Sequence, residues 1–358
     1  MPSLKEIKGR INSISSTLAI TSAMKMVAAA KLQKAQMAIQ NMLPYERRLY
    51  SMLVDLMGAM NISAAASEDG SVRGSGSAER GFDQSGDRLS LSNRHDLAGM
   101  DGAYSLMAQR EVRKVAIVAF ASNSSLCGAF NSNVIREATA VINEYRASGL
   151  GDADITVYSV GRKMAEAMKK LGFPSPADFT KMSDSPSYEA ASALAQELLD
   201  GFVSGRFDKV ELVYNHYKST SSQPTTRQTY LPLSLADATA DLQAGKIADS
   251  ASESDTNRGA EPVGAPVVRQ GSPTTEDLIV EPSKEALIAT LLPKVIRLRI
   301  FTTLLDSAAA EHAARTVAMQ LATDNGNDLL QELTLEYNKG RQQKITSEIL
   351  DLVGGSLQ

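Results

Sequence analysis

The chain opens with a run in which apolar residues return every three or four positions: Leu4, Ile7, Ile11, Ile14 and Leu18. That alternation keeps one apolar seam on a single face of a helix. Ala23, Ala28, Ala29, Ala30 and Ala35 add strong helix formers small enough to let a second helix come close. The pattern predicts one helix over 1–60, with Pro44 as its point of bending because it lacks a donor and clashes with the preceding turn. A second long helix is predicted from Ser283, an N-cap with Pro282 just outside, to about Leu352, where Gly354-Gly355 ends it. Its apolar stripe reads Leu287, Leu291, Val295, Leu298, Leu305, Val317, Leu321, Leu329, Leu333, Ile345, Ile349 and Leu352. Roughly seventy residues at 1.5 Å each reach about 100 Å. A helix of that length needs another long helix to cover it, and the first one is the candidate.

Between the two the period changes. Val115–Phe120 is a short apolar run, the signature of a strand buried on both faces. Helix over 131–146, strand over 155–160, helix over 162–171, helix over 187–203 and strands over 210–214 and 228–233 follow in turn. Such alternation predicts an α/β domain with a partly parallel sheet. Two stretches keep no period at all, 61–109 and 236–277, and their Ser, Gly, Asp and Pro content reads as mobile inserts. The expected organisation is therefore a helix over 1–60, an insert over 61–109, an α/β domain over 110–235, an insert over 236–277 and a helix over 278–358.

Composition narrows the function classes more than it selects one. No stretch of eighteen uninterrupted apolar residues exists to span a membrane, and the N-terminus shows neither an export signal nor a transit pattern. A net charge of −4 argues against bulk nucleic-acid binding. Within residues 1–40, however, Lys5, Lys8, Arg10, Lys25, Lys31 and Lys34 face only Glu6, a local charge of +5 that suggests a surface for a partner. The single Cys127 excludes an internal disulfide and any multi-cysteine metal site.

Candidate chemistry is thin. Ser124-Ser-Leu-Cys-Gly-Ala-Phe-Asn131 is a Gly-containing turn between a strand and a helix, where an α/β domain would hold phosphate. It has neither GxGxxG nor GxxxxGK[ST] spacing, so Gly128 and Asn131 read as shaping a tight turn. Cys127 has no cationic neighbour in sequence to lower its pKa and reads as a small buried hydrophobe. His95, His216 and His312 lie far apart, with no ligand spacing around them. No Ser/His/Asp set or carboxylate pair stands out. The residues point to an interaction or mechanical protein with no catalytic residues, no cofactor and no metal of its own.

Three segments carry a resemblance. Leu4-Lys-Glu-Ile-Lys-Gly-Arg-Ile11 with Ile20-Thr-Ser-Ala-Met-Lys-Met-Val-Ala-Ala-Ala-Lys-Leu32 resembles the amino-terminal signature of the gamma subunits of F-type ATP synthases. The turn 124–133 resembles that family's α/β-domain turn. Glu311-His-Ala-Ala-Arg315, Ala322-Thr-Asp-Asn325, Tyr337-Asn-Lys-Gly-Arg-Gln342, Ile345-Thr346 and Glu348-Ile349 resemble its carboxy-terminal signature. Together they cover about 1–60, 112–235 and 278–356.

The resemblance implies an antiparallel coiled coil of the terminal helices and a small Rossmann-like α/β domain. It implies a central rotor shaft coupling proton-driven rotation of a membrane c-ring to conformational change in catalytic beta subunits. The implied partners are the alpha and beta subunits, the epsilon subunit and the c-ring, with no nucleic acid and only indirect membrane contact. The implied place is the cytoplasmic side of a bacterial inner membrane. Carried over as rotor contacts are Met24 and Lys25 on the first helix and Arg315, Gln342, Thr346 and Glu348 on the second, the latter four meeting beta-subunit loops in the family. Ser124-Ser125 replaces the family's common Arg-Gly and Ala310 its common Ser, while the second insert lacks the cysteine pair of photosynthetic relatives. The insert 61–109 is longer than the resemblance leads one to expect. An unrelated coiled-coil scaffold with an α/β head is the competing reading, and a nucleotide-dependent enzyme is disfavoured for want of a phosphate loop.

Overall fold

A computed structural model describes residues 3–68, 106–107, 110–233, 281 and 283–355. The inserts expected at 61–109 and 236–277 lie for the most part outside the described residues, as does His95.

Two helices dominate: α1, Leu4–Glu68, and α6, Lys284–Gly355. α1 runs eight residues beyond the expected end at 60. Each starts on a serine cap. The Ser3 hydroxyl accepts from the Glu6 amide at 3.2 Å and the Ser283 hydroxyl from the Ala286 amide at 3.1 Å, which satisfies donors that a helix start leaves open.

The helices pair antiparallel, since partners advance along one as they retreat along the other. Thr302 donates to Glu46 at 3.0 Å, Lys25 to Gln320 at 2.6 Å and Thr323 to Thr21 at 3.1 Å, and Gly340 lies against Leu4. On α1 the seam follows the predicted positions: Ile7 is buried and Leu4, Ile11, Ile14 and Leu18 are half-buried while their neighbours are open.

On the outer part of α6 the seam departs from expectation. Val317, Leu321 and Leu329 are 42%, 60% and 50% exposed. The covered positions are instead Met319, Thr323, Gly326, Leu330, Leu333, Tyr337 and Gly340, again at spacings of three and four. The reason is steric. A Cβ on Gly326 would come within 2.6 Å of the Leu18 side chain, so the line of approach runs through Gly326 and Gly340, while Val317, Leu321 and Leu329 lie off it.

Inserted between the helices is an α/β head. Its elements are β1 (Val115–Phe120), α2 (Phe130–Ala147), a 3₁₀ turn (Asp152–Asp154), β2 (Ile155–Val160), α3 (Arg162–Lys170), α4 (Thr180–Asp184), α5 (Tyr188–Val203), β3 (Lys209–Asn215) and β4 (Thr225–Leu231). Strand order is β2-β1-β3-β4, parallel except for β4, which returns antiparallel to β3. The side-chain period of two sorts β1 between two cores. Val115, Ile117 and Ala119 face α2 and α3, where Val134, Val141, Met164 and Met168 are buried. Ala116, Val118 and Phe120 face α5 and the roots of the long helices, against Leu194, Leu198, Leu53, Leu292 and Ile296. The head is thus built onto the helical pair through one whole face of its sheet. Gly161, at φ +96°, makes the turn from β2 to α3, and a Cβ there would sit 2.0 Å from the Ala121 carbonyl.

Candidate functional site

Two regions gather the residues singled out by sequence: the free end of the helical pair, and the junction where that pair leaves the head.

At the free end the helices are unequal in reach. Leu4, at the start of α1, packs against Gly340, so among the described residues α6 runs about three turns beyond the end of α1, and every residue from Arg341 to Leu350 is exposed. Gln342 and Thr346 lie one turn apart on this single helix, and the Thr346 hydroxyl donates back to the Gln342 carbonyl at 2.9 Å. That bond satisfies the hydroxyl hydrogen internally and leaves its lone pairs outward. Glu348 is exposed, with Lys344 at 3.7 Å. Around them Ile345, Ile349 and Leu352 are 47%, 54% and 75% exposed. An apolar and polar surface of this kind on a lone helix is suited to being surrounded.

Further along the pair, Met24 and Lys25 are half-buried. Lys25 spends its ammonium on Gln320 of α6, an exposed bridge between the helices. Beside them Met26 and Val27 stand 64% and 58% exposed, so the outward apolar groups on this turn are these and not Met24.

Arg315 is placed otherwise than a contact to a partner requires. It is 8% exposed, and its guanidinium donates to the Ser125 carbonyl at 2.6 Å, the Ser124 hydroxyl at 2.7 Å and Glu311 at 2.7 Å. Its fork is filled from within the chain, because the turn after β1 folds over this part of α6. Burial pushes the Glu311 carboxyl up, against the pull of Arg315. One turn away, His312 is pushed down to about 4 by burial and by the charges of Lys31 and Arg315, so its imidazole is neutral.

The turn itself is held by Asn131, whose carbonyl oxygen accepts from the Ser122 amide and hydroxyl, both at 3.0 Å, and whose amide donates to the Ser124 carbonyl at 3.2 Å. Gly128 takes φ +58° and Cys127 is buried against Phe130 and Ala310, as a small hydrophobe would be. The turn therefore serves as a dock for α6. His216, which the sequence places at a strand end beside Tyr214 and Tyr217 in a structural role, meets Asp306 of α6 at 2.6 Å. Asp306 carried no signal of its own, since one acid on a long helix looks like solvated surface.

On the far face of the head, Glu211 of β3 is buried and takes bonds from Tyr145 at 2.7 Å and Arg227 at 2.7 Å, with Lys209 at 2.6 Å. Burial works to raise its pKa, but these donors outweigh it and the carboxylate stays ionised. It braces α2, β3 and β4 into one unit. Among the described residues no helix is long and apolar enough to cross a membrane, and no group of three His, Cys, Asp or Glu could hold a metal ion.

Comparison with known proteins gives a consistent answer. A family model described as ATP synthase matches residues 3–357. An ATP synthase gamma chain of Phocaeicola vulgatus is 47% identical over 357 residues, covering 100% of both chains, so no large stretch of either is left over. One from Flavobacterium johnsoniae is 36% identical over 99% of this chain and 98% of its own. Among solved structures, a chain of the Euglena gracilis mitochondrial ATP synthase OSCP/F1/c-ring assembly superposes with a TM-score of 0.53 at 18% identity, over 98% of this chain and 92% of that one. A chain of the rotor of the same enzyme gives 0.51 over 96% and 98%, also at 18% identity. At that identity the two structures speak to the fold.

Proposed function

The chain belongs to the ATP synthase gamma chain family, and on that premise we propose that it is the central shaft of a proton-translocating ATP synthase. The observation that carries the reading is the free end of the molecule: a two-helix rod, then a single helix, with large apolar side chains turned outward. A chain working alone would gain by covering Leu321, Leu329, Ile345 and Ile349, since each buried aliphatic side chain is worth roughly 1.5–3 kcal/mol. A rod that turns inside a sleeve of other subunits has its covering supplied by them. The head would sit at the opposite end, toward the epsilon subunit and the c-ring at the cytoplasmic face of the membrane.

The shaft works by making unequal contacts with chemically identical beta subunits, because an effector shifts a conformational equilibrium only through differential interaction with its states. Gln342, Thr346 and Glu348, exposed on the lone helix, are the groups that would form such contacts, with Met24 and Lys25 in a lesser role. Arg315 is assigned to the chain's own junction. The chain supplies no catalytic group; chemistry would belong to the subunits around it. Co-purification tests the reading: the full chain should bring down alpha and beta subunits in a complex that hydrolyses ATP, and a chain that stays alone under assembling conditions sinks it.

A further inference from the structure

We propose that the loop between β3 and β4, residues 216–224, is a clip that fastens the head to both helices of the shaft, with Tyr217 and Asp306 as its positioning residues. This rests on the shaft reading. The loop reaches α6 through one carboxylate taken twice: the Tyr217 amide donates to one Asp306 oxygen at 2.9 Å and the His216 ring meets the other at 2.6 Å. It reaches α1 through the Gln36 side chain, which donates to the Tyr217 hydroxyl at 2.6 Å. The Tyr217 ring packs beside Leu32 of α1 and Ala309 and Ala310 of α6, and against Cys127 and Phe130 of the head. One residue therefore touches all three bodies.

The loop is built stiff enough for this. His216 donates its amide to the Pro224 carbonyl at 2.9 Å, Ser219 and Ser222 exchange amide bonds at 3.1 and 3.2 Å, and the Gln223 side chain donates to the Ser219 and Thr220 carbonyls. At its base Asn215 donates to the Phe130 carbonyl at 3.0 Å and accepts from Thr225 at 2.7 Å, which ties the loop to α2 and β4.

The apolar face between sheet and shaft already holds the head in place, but apolar attraction is non-directional and resists sliding poorly. Hydrogen bonds of fixed geometry resist it well. Packed helix axes lie roughly 8–10 Å apart, so a loop anchored on both acts as a couple across the pair. An anchor on one helix alone would be a pivot. Asp306 on α6 and Lys218 in the loop are the charged groups facing His216, and the α1 anchor is the neutral Gln36.

Two full-length variants separate the anchors: Asp306→Ala removes the α6 anchor, and Tyr217→Phe removes the α1 hydrogen bond while keeping the ring. Hydrogen exchange on the full chain asks whether the clip exists. The Tyr217 amide should exchange about tenfold faster in Asp306→Ala, equivalent to about 1.4 kcal/mol, with β1 and β3 protected as in the parent. Unchanged exchange at Tyr217 overturns the clip. In complexes assembled with alpha and beta subunits, a bead on S148C, an exposed site at the end of α2, reports angular fluctuation of the head in the stalled state. Both variants should broaden that distribution, and Asp306→Glu should narrow it again. A width unchanged in Asp306→Ala despite its fast exchange overturns the fastening of the head to the shaft. A parent chain that fails to assemble overturns the shaft reading instead, and the exchange result stands apart from it.

Discussion

The root and the tip of the helical pair are the same two helices under opposite conditions. At the root, Leu49, Leu53, Leu292, Val295 and Ile296 are all at or below 5% exposure, wrapped by one face of the sheet and by α5. At the tip, Ile345, Ile349 and Leu350 are about half exposed or more on a helix that no other described element covers. Residue type alone does not distinguish them. What differs is what the chain itself provides as cover, so stability is concentrated in one half and surface for partners in the other.

That comparison breaks most visibly at the root. Leu53→Ala should cost about 2–5 kcal/mol of unfolding free energy, the range for emptying a fully buried leucine site, whereas Ile349→Ala should leave the isolated chain within about 0.5 kcal/mol of the parent. Denaturant melts of the two variants check both statements.

The junction supplies a pH test. His312 has a folded pKa of about 4, below its ordinary 6.5. Between those values the unfolded chain binds the proton and the folded chain does not, so stability falls as pH drops through that window and is unaffected above it. Allowing for partial exposure the loss should be on the order of 2 kcal/mol. His312→Gln should flatten the corresponding part of a pH–stability curve, and an equally steep curve in that variant counts against the assignment. His216 works the other way: its bond to Asp306 raises its pKa, so its smaller contribution is present at low pH and lost as pH rises through the raised value.

Midway along the rod, Gly326→Val must displace Leu18 and should cost about 1–3 kcal/mol through overpacking, read as a shift of the thermal midpoint. Smallest in stability and plainest in function is the double change of Gln342 and Thr346 to Ala. Both side chains are exposed on a helix that alanine suits, so melting should be unchanged within about 0.5 kcal/mol. ATP synthesis by reconstituted vesicles should nevertheless fall; normal synthesis in an assembled double mutant would mean that the tip acts by shape alone.

Much of the fold was legible because it rests on local rules. β1 and β2 fall at the predicted residues, Ser283 caps its helix as read, and Leu4 to Leu18 form the seam. The outer seam of α6 was misread for a physical reason. Hydrophobic period marks positions that exclude water, but in a two-helix rod Gly326, Thr323 and Gly340 are the closest to the partner, and Val317 and Leu321 are saved for outside. Arg315 is among the contacts implied by the resemblance, and a sequence does not show that a turn 190 residues earlier closes over it. The lone terminal helix was hidden too, since where a pair ends depends on the register between segments about 300 residues apart.

The antiparallel register also sets an order of events during synthesis of the chain. α1 is made first, yet its partner is made last; Lys25 and Gln320, which meet, are separated by 295 positions. At roughly 5–20 residues per second, a ribosome leaves the seam of α1 waiting on the order of 15–60 s. The strands of the head pair within about 120 residues and can form earlier, whereas the root, which needs Leu292, Val295 and Ile296, closes only once α6 begins to emerge. A nascent chain stalled before α6 should therefore present Ile7, Leu18 and Leu32 to chaperones, and release of those chaperones should coincide with emergence of the last helix.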